Sequence, residues 1–61
     1  MLIIQLEDTD KEFDFFKPAV KFCEYEFGYE GEAWNDVVRS NSMSELYYFL
    51  EDDGISVVYK P

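Results

Sequence analysis

Cys23 is the strongest nucleophile among the side chains of this sequence, and its surroundings decide whether it can act as one. A reactive thiolate needs nearby cations or a helix N-terminus to lower its pKa. Here the adjacent residue is Glu24, and Val20, Cys23 and Phe27 share one apolar stripe at helical spacing, with Phe16 one turn earlier. The position therefore reads as buried core, the commonest fate of a free cysteine. The chain has no histidine, which removes the most frequent general base and metal ligand and the triads built on imidazole. No enzymatic activity and no cofactor are expected.

Carboxylates are the abundant chemical group, fourteen against five Lys and Arg, for a formal charge of -9. Paired carboxylates perform acid/base catalysis on sugars only across a cleft that holds the substrate, and a chain of 61 residues offers no evident one. Asp8, Asp10, Glu12 and Asp14 alternate somewhat as a calcium loop does. Counted from Asp8, however, the sixth position is Phe13 instead of glycine and the twelfth is Ala19 instead of glutamate. Gly28, Gly31 and Gly54 are isolated, so no glycine-rich phosphate loop exists. No metal site is expected.

What the carboxylates do have is a distribution. Between Phe22 and Val38 stand Glu24, Glu26, Glu30, Glu32 and Asp36 with no basic residue among them. Between Ser40 and Tyr59 stand Glu45, Glu51, Asp52 and Asp53, again with no base. A surface that serves solubility alone usually mixes signs, because an excess of one sign repels itself. Carboxylates two apart on a strand are separated by roughly 6.6 Å, and those four apart on a helix by about 6 Å. Both spacings approach that of successive phosphates on a nucleic-acid strand. A rigid acidic face can thus occupy a Lys- and Arg-lined groove built for DNA, whereas direct binding to nucleic acid is excluded by the shortage of cations. Tyr25 and Tyr29, interleaved with the first acidic run, supply aromatic anchors of the kind that concentrate binding energy. Trp34 and Tyr47 read as core rings, with Tyr48 as further aromatic surface.

The expected contact surface is therefore Glu24, Tyr25, Glu26, Tyr29, Glu30, Glu32 and Asp36, with Glu51, Asp52 and Asp53 as a second patch. In composition the chain resembles the small acidic inhibitors that phages and mobile elements make against restriction, CRISPR or host DNA-handling enzymes. No motif carries that resemblance, so no functional residue is transferred from it. It implies a non-enzymatic inhibitor or regulator acting by acidic DNA mimicry on a protein with a basic groove. The competing expectation is an interaction or assembly module, homodimeric or hetero-oligomeric through apolar surface, in which the acids only maintain solubility.

These side chains need a scaffold, and composition allows one domain over residues 1–61. Apolar residues make up 48% and aromatics 20% of the chain, too much of both for a disordered acidic segment. A single cysteine builds no internal disulfide, which points to a cytoplasmic setting. The N-terminal residues have too short an apolar run for a signal peptide, and no stretch approaches the roughly 20 apolar residues of a membrane span. No membrane partner is expected.

Leu2–Leu6 reads as a strand ending at the turn residues Glu7–Asp10. The next segment stays open, since Glu12–Phe15 alternates like a strand while Thr9 and Glu12 match a helical capping box. Pro18 favours a helix from about that residue to Phe27, with Gly28 as its C-terminal cap. Its rival is a strand with Cys23, Tyr25, Phe27 and Tyr29 on one face. Ala33, Trp34, Val37 and Val38 form the apolar side of a second helix. Ser42 and Glu45 form another capping box, starting a helix near Met43 whose buried stripe is Met43, Leu46, Tyr47 and Leu50. Gly54 ends it. Ile55–Tyr59 is then a strand that pairs with Leu2–Leu6. The expected fold class is α+β: a small two- or three-stranded sheet formed by the chain ends, packed against two or three short helices, with sheet edges open to dimer formation.

Overall fold

A computed structural model describes residues 1–61 as three strands and three helices: β1 (Leu2–Gln5), β2 (Asp10–Phe13), α1 (Phe16–Phe27), α2 (Glu32–Ser40), α3 (Met43–Asp52) and β3 (Val57–Tyr59). The strands form one antiparallel sheet in the order β2-β1-β3, an α+β architecture. Leu2 faces Phe13 on one side and Tyr59 on the other, while Ile4 faces Lys11 and Val57. With a side-chain period of two, this register places Leu2 and Ile4 on the helix-covered face, where both are fully buried. The opposite face carries Gln5, Glu12, Ser56 and Val58, all exposed, around a half-buried Ile3.

The ambiguous segment after the first turn divides: Glu12 and Phe13 belong to β2, Asp14 and Phe15 form a bend, and Phe16 opens α1. Thr9 does not cap a helix; its carbonyl accepts the Leu6 N–H at 2.9 Å and closes a tight β1–β2 turn. Helix α1 begins at Phe16, two residues before the expected start, after an extended Phe15. Pro18 falls in its first turn, where the backbone N–H has no intrahelical acceptor, so the helix loses no bond by including it. The rival strand over Cys23–Tyr29 is overturned by this helix. Gly28 is left-handed at φ 69° and donates to the Glu24 carbonyl, the expected cap.

Helix α3 begins as its capping box dictates, with Ser42 Oγ accepting the Glu45 N–H at 3.3 Å. Leu46 and Leu50 are fully buried, whereas Met43 and Tyr47 are half-buried. In α2, Trp34 and Val37 enter the core, but Ala33 is exposed and does not belong to the apolar face. The last strand is shorter than expected because the Ile55 N–H returns to the Leu50 carbonyl at 2.9 Å, tying that residue to the helix end.

Nine buried residues form the core: Leu2, Ile4, Ala19, Val20, Cys23, Trp34, Val37, Leu46 and Leu50. Half-buried rings extend it as a continuous chain of contacts. Phe13 meets Phe22 at 5.3 Å, Phe22 meets Phe27 at 6.3 Å, and Phe27 meets Tyr29 at 5.5 Å between centroids. Tyr29 then touches both Trp34 at 4.9 Å and Phe49 at 5.1 Å. Each pair lies within the range where ring edges and faces attract, so the loop between α1 and α2 is held against α3 by the ring of Tyr29.

Candidate functional site

The fold joins the loop after α1 to the end of α3. Helix α1 ends at Phe27 and α3 at Asp52, and between these C-termini lies the Gly28–Gly31 loop. The Tyr29 hydroxyl donates to Asp53 Oδ2 at 2.5 Å, joining that loop to the end of α3. Glu30 is thus next to a residue bonded to Asp53, with Glu24 and Glu26 in the last turn of α1 and Glu51 and Asp52 in that of α3, and all six are exposed. Their junction through Tyr29 was not visible in the sequence, where Tyr29 and Asp53 are 24 positions apart.

Backbone electrostatics add to the side-chain charge. A helix C-terminus presents unpaired carbonyls equivalent to roughly half a negative charge. Neither α1 nor α3 has a basic residue in its last turn to offset it. Glu24 and Glu26 on α1, and Glu51 and Asp52 on α3, therefore stand where carboxylates weaken a helix. Glu32 differs, because it occupies the first turn of α2 and complements the dipole there. Its place is explained by helix stability alone.

Hydrogen bonds sort the remaining candidates. Trp34, with 1% of its surface exposed, donates Nε1–H to Glu24 Oε2 at 2.9 Å. Tyr47 donates its hydroxyl to Glu51 Oε2 at 2.6 Å. These neutral donors fix the carboxylates without cancelling their charge. The Tyr47 hydroxyl is consequently held above its ordinary pKa, chiefly by the bond to Glu51. Burial and then the Asp53 bond push the Tyr29 hydroxyl upward as well. Both phenols remain donors across the neutral range.

Asp36 is set apart, since it forms an exposed ion pair with Arg39 one turn along α2. That pair offsets its charge, so Asp36 adds less to an anionic face than its position in the acidic run implied. Tyr25 is 88% exposed. Tyr29 is half-buried among rings, and its role is to position the loop and Asp53 instead of offering an open aromatic face.

Positive charge borders this surface at Glu24. Lys17, Lys21 and Glu24 line an open depression between α1 and the end of α2, with Phe16, Val20, Val38 and Asn41. The rest of the acids lie outside the candidate surface: Glu7, Asp8, Asp10, Glu12 and Asp14 on the β1–β2 hairpin, and Glu45 in the first turn of α3. No three Cys, Asp or Glu side chains converge as a metal-holding group. No helix is long and apolar enough to cross a membrane.

Cys23 is fully enclosed. Burial first, and Glu24 second, push its thiol up to about 12. A thiol reagent at pH 8 is expected to leave the folded chain unlabelled and to label it rapidly in denaturant. Rapid labelling of the native chain would contradict the packing around α1.

Comparison with known protein families, curated proteins and solved structures finds no match to this chain.

Proposed function

We propose that the chain is a non-enzymatic cytoplasmic inhibitor or regulator that docks its acidic end into the basic, nucleic-acid-binding groove of a partner protein. The observation that carries this reading is the convergence of two base-free, carboxylate-bearing helix C-termini at the Tyr29–Asp53 hydrogen bond. At Glu26 and Asp52 the charge opposes helix stability and makes no compensating side-chain hydrogen bond, which gives it little structural justification. The aromatic donors behind it orient Glu24, Glu51 and Asp53. Preorganisation of that kind reduces the ordering cost of binding. Glu26, Glu30 and Asp52 supply charge with no side-chain hydrogen bond recorded, while Glu24, Glu51 and Asp53 are oriented by their aromatic donors. Tyr25 provides the aromatic contact on the same helix end.

Compositional likeness to phage and mobile-element counter-defence inhibitors agrees with this reading. The test is a salt and competitor titration of proteins captured on the immobilised chain. Complexes formed by mimicry should weaken at least tenfold between roughly 50 and 200 mM salt and be displaced by duplex DNA. Capture that resists both would instead favour an assembly module joined through apolar surface.

A further inference from the structure

We propose that the free edge of β3 is a self-association site, at which two copies of the chain pair β3 with β3 about Val58 to form a continuous six-stranded sheet. The hydrogen-bond phase of the ladder defines the geometry. Lys60 N–H donates to Met1 O at 2.8 Å and Gln5 N–H to Ser56 O at 2.9 Å. Backbone groups of residues 56, 58 and 60 therefore face β1, and in an antiparallel ladder those of Val57 and Tyr59 face the other way. No other group of the chain bonds the outward N–H and C=O of these two residues.

The opposite edge is protected. On β2 the outward-facing backbone groups are those of Asp10 and Glu12, whose carboxylates discourage another strand from approaching. The β3 edge has no acidic guard, because Gly54–Lys60 contains no acidic residue, and its one charge is Lys60, whose backbone faces β1. A second copy of a chain with formal charge -9 meets least repulsion at an acid-free segment. This charge distribution selects a copy's own β3 over its β2 as the occupant.

Two-fold pairing about Val58 sets Val57 opposite Tyr59 of the other copy and Val58 opposite its counterpart. Both outward N–H groups of each strand then reach outward carbonyls of the other, giving four backbone bonds. The ladder stops there. Ile55 N–H is already bonded to Leu50 O, and Pro61, its would-be opposite, has no N–H. On the outer face the two Val58 side chains, 37% exposed in one copy, come together. This association is independent of the acidic docking surface, and ionic strength separates them: screening should strengthen a contact between like-charged copies and weaken docking to a cationic groove.

Sedimentation analysis of the full chain at rising concentration should show a species of twice the 7.3 kDa chain mass, its fraction increasing with salt. Val58→Lys places like charges directly opposite each other and should return the protein to one chain mass with its thermal melt unchanged. Val58→Cys tests the register covalently, since opposite residues in a non-hydrogen-bonded pair sit about 4.5 Å apart at Cα, within disulfide range. Oxidation should cross-link Val58→Cys and leave Ser56→Cys uncross-linked, because residue 56 faces residue 60 of the other copy. A single chain mass at every concentration and salt would overturn the proposal, leaving the edge for a strand of a different protein. So would a dimer that survives Val58→Lys, or equal cross-linking of the two cysteine variants.

Discussion

Replacing Trp34 with alanine is expected to lower the urea midpoint of the fold by a third or more. The indole is 1% exposed, touches the rings of Tyr29 and Phe49, and donates to Glu24. Truncating a buried tryptophan costs about 3–5 kcal/mol, and a chain of 61 residues has a total stability of roughly 3–9 kcal/mol. The loss is thus a third or more of everything that holds the fold together. Urea titration followed by circular dichroism measures it directly. Trp34→Phe separates the components, because it keeps a ring while removing the donor to Glu24. Its midpoint should fall between those of the parent and the alanine variant. A Trp34→Ala chain as stable as the parent would mean that the ring network does not brace the acidic end.

The second large effect is expected from reversing charge at that end. Glu26→Lys, Glu30→Lys and Asp52→Lys together alter three exposed carboxylates without touching the core. At Glu26 and Asp52 a lysine suits the helix dipole where the acid opposed it, by about 0.3–1 kcal/mol each. The triple variant should therefore melt a few degrees higher than the parent. Binding to a cationic groove should move the other way, falling at least a hundredfold at low salt, since close charge pairs across interfaces couple by about 1.5 kcal/mol or more. Higher stability with lost binding is a combination that general damage to the fold cannot produce. Undiminished affinity would show that the carboxylates serve solubility and that the partner is held by other means.

Much of the framework was legible because its signals are local. Ser42 with Glu45 marked the start of α3, Gly28 marked the end of α1, and the β-branched run near Tyr59 announced a strand. Asp10–Phe13 was harder to read. Its charged residues carry a weak strand signal, and it becomes one because β1 offers a register next to it. Ala33 misled for a related reason, since its small side chain tolerates either face of a helix and only neighbouring packing decides.

The candidate site was half visible. Sequence runs identified the acids, but their union depends on Tyr29, which reads as one aromatic residue among several until the fold seats it against Phe27, Trp34 and Phe49. Similarly, the Asp36–Arg39 pair and the match of Glu32 to the α2 dipole are helix-phase effects. They emerge once α2 has defined limits, and they narrow the anionic face to the ends of α1 and α3.

The central position of β1 also governs how the molecule forms. One neighbour, β2, follows after a tight turn and pairs quickly, whereas the other, β3, arrives only after all three helices. Bringing Tyr59 back to Leu2 closes nearly the whole chain into a loop, whose entropy must be lost before the pairing rewards it. The helices and first hairpin should consequently assemble ahead of the final strand, with refolding slower than so helical a chain would otherwise show.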